Sequence, residues 1–93
     1  MKTPEGRIKD QVKAFLKERG VWFTVGTGLA TLPVDIIGCY RGRFFAIEVK
    51  APGKKPTPKQ YVIMAKIVAC GGATMWGDNL ETIVLCFDAF AAG

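Results

Sequence analysis

Apolar residues recur one helical turn apart at the start of the chain: Ile8, Val12, Phe15 and Leu16 share one stripe, and Lys9, Lys13 and Lys17 recur every four residues on the polar side. This pattern predicts a helix from Thr3 to Arg19, with Thr3 as N-cap, Pro4 at the first helical position, Glu5 in the first turn and Gly20 as the stop. Val21 to Val25 is β-branched and aromatic, which predicts a short strand, and Gly26 to Thr31 follows as a loop. Leu32 to Ala51 then reads as two apolar strands joined by a tight turn. A Pro- and Lys-rich loop leads to a second helix over Thr57 to Cys70, where Thr57 and Gln60 match a capping box. Tyr61, Met64, Ala65 and Val68 form one apolar face of that helix, and Ile63 and Ile67 extend it, so it is expected to be buried on two sides.

Gly71-Gly72 stops the second helix, and Ala73 to Trp76 predicts a fourth strand. Asp78 is expected to cap a last helix from Asn79 to Ala91, with Glu81 completing a second capping-box pattern, although Thr82 to Phe87 is also β-prone. The order is α-β-β-β-α-β-α, an α/β class with a small mixed sheet. Strand, helix and strand in succession imply a crossover, with the fourth strand parallel to the third. No linker or repeat divides the chain, and residues 1–93 read as one domain.

Each strand of the apolar pair carries an acid. If Arg41 and Gly42 are the loop, Tyr40 faces Arg43, Cys39 faces Phe44, Gly38 faces Phe45, Ile37 faces Ala46, Ile36 faces Ile47, and Asp35 faces Glu48. A three-residue loop would instead put the two acids on opposite faces. Directly opposed carboxylates repel, and acids among Ile, Phe and Val are costly unless compensated. A hard divalent cation is the first candidate, because Mg²⁺ prefers oxygen ligands and often takes only one or two protein carboxylates. Period-2 alternation puts Lys50 beside Glu48, where an ammonium could hold an attacking water or a phosphate oxygen. The plainer alternative is a Glu48–Lys50 ion pair on an exposed face.

Composition narrows the chemistry. The chain has no histidine, which removes Ser-His-Asp and Cys-His nucleophiles and ordinary Cys/His zinc sites, leaving carboxylates and lysine. Three cysteines without a C-x-x-C pair, Cys39, Cys70 and Cys86, read as reduced core residues. A net charge of +5 favours a polyanion such as nucleic acid. Lys50, Lys54, Lys55 and Lys59 lie in or just before the loop that leaves the Glu48 strand, the best-placed residues to hold phosphates; a solubilising loop is the bland alternative. Lys9 and Lys13 could form a phosphate-binding ridge or a solvated face, and Gly26 and Gly28 could admit a nucleic-acid backbone or simply connect two strands. With 49% apolar residues in so short a chain, some apolar surface is expected to be covered by a second subunit. The N-terminus lacks a signal peptide's apolar core, so the expected location is cytoplasmic.

Asp35 followed by Glu48-Val49-Lys50 matches the Asp…Glu-x-Lys signature of the restriction-endonuclease-like, or PD-(D/E)XK, nucleases. More narrowly, the chain resembles a stand-alone, phage-type VRR-NUC domain: Glu5 in the first helix, Gly26 and Gly28 before Pro33 and Asp35, Glu48-x-Lys50, and Gln60 opening the next helix. Val34 separates Pro33 from Asp35, where the family usually has the two adjacent. The resemblance implies Mg²⁺- or Mn²⁺-dependent hydrolysis of DNA, with Asp35, Glu48 and the Val49 main-chain carbonyl as metal ligands and Glu5 reaching the metal through water. It also implies a catalytic role for Lys50, Gln60 as a polar neighbour that can serve both cap and site only if the cap is loose, and a homodimer acting on branched DNA such as four-way junctions. The rivals are a non-catalytic nucleic-acid-binding module and a flap- or restriction-type nuclease on the same core.

Overall fold

The computed structural model describes residues 2–26 and 32–93. Helix α1 spans Pro4–Glu18, and the Thr3 side chain accepts the Gly6 amide as its N-cap. Strands β1 (Trp22–Val25), β2 (Ile36–Tyr40) and β3 (Arg43–Val49) follow, then α2 (Pro58–Ala69), β4 (Ala73–Gly77) and α3 (Leu80–Ala92). The sheet runs β1-β2-β3-β4, antiparallel across its first two pairings and parallel between β3 and β4. The expected class and element order are those observed.

The β2–β3 turn has the two-residue loop, with Tyr40 opposite Arg43 and Ile36 opposite Ile47. Arg41 and Gly42 both take positive φ, 51° and 80°, the left-handed pair whose twist matches a tight antiparallel hairpin. Asp35 lies in the bend one residue before the paired ladder, so the register carries it toward Glu48 without making it a strand residue.

Alternation divides the sheet into two unlike faces. Ile36, Phe45, Ile47, Val49 and Met75 form the core with Ile8, Val12 and Leu16 of α1 and Ile83, Phe87 and Phe90 of α3. The Phe87 ring stands 5.6 Å from each of Phe15, Tyr40, Phe45 and Phe90. Phe45 folds over Gly38, where a Cβ would sit 2.5 Å from its ring and overlap the Trp22 carbonyl, so only glycine fits beneath it. On the opposite face α2 lies over the β4 side, against Thr74 and Trp76.

Several expectations change. Helix α2 buries only Met64, and Tyr61, Val62 and Val68 are exposed, because a single sheet face covers it. All three cysteines are free; Cys39 and Cys70 are exposed and so not core residues, while Cys86 is half-buried and packs against the core. The cap of α3 is Asn79, which accepts the Thr82 amide at 2.8 Å; Asp78 instead accepts the Gly53 amide at 2.8 Å and fastens the lysine loop to the end of β4. The β-prone run from Thr82 to Phe87 is helical, since its apolar residues Ile83 and Phe87 fill the core at helical spacing.

Candidate active site

Glu48 is the last residue but one of β3, on the face toward α2, and is 4% exposed, the buried ionisable side chain among the described residues. Its Oε1 accepts from Gln60 Nε2 at 3.2 Å, while Oε2 is buried and has no hydrogen-bond partner. Asp35 reaches the same place from the bend before β2. Its Oδ2 accepts the Val49 amide at 2.7 Å, and its Oδ1 lies 2.9 Å from Lys9 Nζ. The two carboxyl groups are near enough to perturb each other's ionisation.

Burial first, and then the Asp35 carboxyl, pushes the Glu48 pKa up to about 8; the Lys50 ammonium opposes the rise without cancelling it. Burial would also raise Asp35, but the neighbouring Glu48 carboxyl, the Lys9 ammonium and the hydrogen bond from the Val49 amide outweigh that and hold it below the usual carboxylate range. Near neutral pH the pair therefore holds one proton, on Glu48, and one negative charge, on Asp35. In the chain alone, that proton and Lys9 relieve the repulsion between the two acids.

Gln60 joins the start of α2 to this pair. Its Oε1 accepts from the Thr57 amide at 2.9 Å and from Lys50 Nζ at 3.3 Å, which turns the amide nitrogen toward Glu48. The capping box is complete at the same time, so one side chain serves cap and site together and no loosening is needed. The lysine loop beside it is pinned by the Gly53–Asp78 bond and by buried Pro56, leaving Lys54, Lys55 and Lys59 exposed.

Other site expectations come out differently. Glu5 is near enough for its charge to act on Lys9 and Glu48, yet no group of three or more His, Cys, Asp or Glu side chains is gathered for a metal ion among the described residues. The lysine row of α1 splits: Lys9 turns to Asp35, Lys13 lies 3.6 Å from Asp10, and Lys17 is exposed. Gly26 is exposed and lines a cleft of about 370 Å³ with Gly6, Lys2, Lys9, Lys13 and Asp35, whereas Gly28 lies outside the described residues. Sequence reasoning missed the Lys9–Asp35 contact. The available signal was the four-residue step from Glu5 to Lys9, which puts both on one side of α1.

No family model matches the sequence, and no curated protein matches it. A solved structure described as a VRR_NUC domain superposes with a TM-score of 0.79 at 18% identity, over 96% of this chain and 99% of that one. The fold is that of a VRR_NUC domain. At that coverage the superposition spans nearly the whole chain.

Proposed function

We propose that the chain is a member of the VRR-NUC family and a metal-dependent DNA endonuclease, selective for branched DNA such as four-way junctions. The observation that carries this reading is the buried, unpartnered Oε2 of Glu48 beside the Asp35 carboxyl. A buried carboxyl oxygen without a partner is unfavourable as it stands and, once the proton is given up, is what a hard cation would satisfy. Two carboxylates and a nearby main-chain carbonyl fit Mg²⁺ or Mn²⁺, which fills its remaining positions with water and phosphate oxygen.

Asp35, Glu48 and the Val49 carbonyl would hold the ion, with Glu5 contributing through water. Such an ion lowers the pKa of bound water and neutralises charge on the phosphate. Gln60 orients Glu48 and Lys50 toward one another through its two amide ends. Lys50 positions the attacking water or stabilises the charge developing on the phosphate. In-line attack would leave a 5′-phosphate and a 3′-hydroxyl. Exposed Lys54, Lys55 and Lys59, with Lys9 and Lys13, would hold the DNA backbone by charge, and Gly26 and Gly28 would let it come close.

The same reading includes a homodimer. Trp22, Cys39 and Phe44 stand in register across three strands on the face that α2 leaves open, and Trp22 is 64% and Phe44 43% exposed. A second copy of the chain is the proposed cover, giving two sites for two strands of a junction.

Labelled four-way junction, flap and plain duplex incubated with and without Mg²⁺ or Mn²⁺ test the proposal. Strand cleavage that needs the ion and is fastest on the junction is expected. DNA binding unchanged by EDTA, with no cleavage under any condition, would establish a non-catalytic module instead.

A further inference from the structure

Three lysines line the cleft beside Asp35, and each is held by an acid. Lys2 and Lys13 are both tied to Asp10, at 2.7 and 3.6 Å, while Lys9 alone is tied to Asp35. Asp35 has one oxygen committed to the Val49 amide, so Oδ1 is the oxygen open to an incoming cation, and Lys9 Nζ is on it at 2.9 Å. The Lys9 side chain is only 32% exposed, so its stem is packed and its head is directed at this oxygen.

We propose that Lys9 is a resident cation on Asp35: it holds Asp35 in place until a divalent ion takes Oδ1, and is then released into the cleft to bind a phosphate of the DNA. This rests on the metal-dependent reading above. A divalent ion and an ammonium on the same carboxylate oxygen repel each other strongly, so an ion and Lys9 compete for Oδ1. A lysine suits the exchange, since its compact charge rides on a flexible four-carbon stem. Lys2 and Lys13 sit on Asp10 and do not touch Asp35, so of the three only Lys9 is displaced by an ion on Oδ1. The chain thereby exposes a phosphate-binding charge after the ion is loaded, which orders the two binding events.

The test measures Mn²⁺ affinity without DNA, by the electron paramagnetic resonance signal of free Mn²⁺, for wild type, Lys9→Met, Lys9→Gln and Lys13→Met. Both Lys9 variants should bind Mn²⁺ about fivefold tighter, the scale of losing one partly exposed competing ion pair. Lys13→Met, which removes the same charge from the same helix without touching Asp35, should stay within about twofold. The salt dependence of binding to a cleavage-resistant phosphorothioate duplex supplies a second readout. In Mg²⁺ the Lys9 variants should lose about 0.9 from the slope, one phosphate contact, and in EDTA none. Equal Mn²⁺ affinities for Lys9→Met and Lys13→Met, or a slope change already present in EDTA, would overturn the exchange. Wild-type protein that binds no Mn²⁺ would overturn the metal reading itself, a result distinct from either.

Discussion

The two faces of the sheet are used in opposite ways. The face toward α1 and α3 is closed: Ile36, Phe45, Ile47 and Val49 are fully buried, and Phe87 sits among four aromatic rings. The face toward α2 is half covered, and it carries both the buried Glu48 and the exposed Trp22–Cys39–Phe44 row. The contrast shows where this chain satisfies its own burial and where it leaves chemistry and contacts to something else. One face holds the strands rigid, and the other uses that rigidity to keep a buried carboxyl without a full set of partners in place.

Breaking the closed face should have the largest effect. Phe87→Ala is expected to cost about 3–5 kcal/mol, from lost burial and the cavity left among its ring neighbours, read as a shift in urea midpoint with little change in slope. A midpoint unchanged from wild type would mean that the second face carries more of the stability than its coverage implies.

At the site, Asp35→Asn should leave the fold and DNA affinity within a few fold while slowing cleavage by about 100-fold or more, the scale of losing one group that stabilises transition-state charge. Wild-type cleavage rates in that variant would remove Asp35 from the reaction.

Acid–base titration of the metal-free protein sharpens the comparison further. Glu48 keeps its proton in the folded state up to about pH 8, whereas the unfolded chain loses it near 4.5. Between those values the folded state binds the extra proton, so stability falls as pH rises, and Glu48→Gln should flatten the fall and gain on the order of 2 kcal/mol above it. Asp35 works in the opposite sense: its depressed pKa contributes stability above its ordinary range that is lost as pH falls through the lowered value. On the proposed metal reading an ion would bind the deprotonated pair, so thermal stabilisation by Mg²⁺ should be larger at pH 9 than at pH 6. A flat stability profile for wild type would contradict the shared proton.

The smallest effect on the single chain is expected on the open row. Trp22→Glu should change unfolding free energy by less than about 0.5 kcal/mol, as for other exposed sites, yet shift sedimentation toward the monomer. An unchanged oligomeric state would move the contact elsewhere.

Much of this was legible in the sequence, and the gaps have physical causes. The hairpin register follows from a two-residue loop and period-2 alternation, and these carry Asp35 toward Glu48. Helix α1 and its cap could be read because Thr3, Pro4 and the apolar stripe all agree. What local pattern cannot show is which surface covers an apolar helix, so α2 reads as buried although it is largely exposed. Nor can it choose between neighbouring capping residues such as Asp78 and Asn79, which depends on the loop at Gly53 competing for one of them. The Lys9–Asp35 pair depends on how α1 lies against the end of the sheet, a tertiary fact.

Gln60 has a narrower tolerance than its place in the helix would suggest. A capping box accepts glutamate as readily as glutamine, since either can receive the Thr57 amide. Here the far end of the same side chain must also donate, to an acid that already has a carboxyl neighbour. Glutamate would preserve the helix start and add a third negative group to the cluster, so the helix would tolerate an exchange that the cluster rejects.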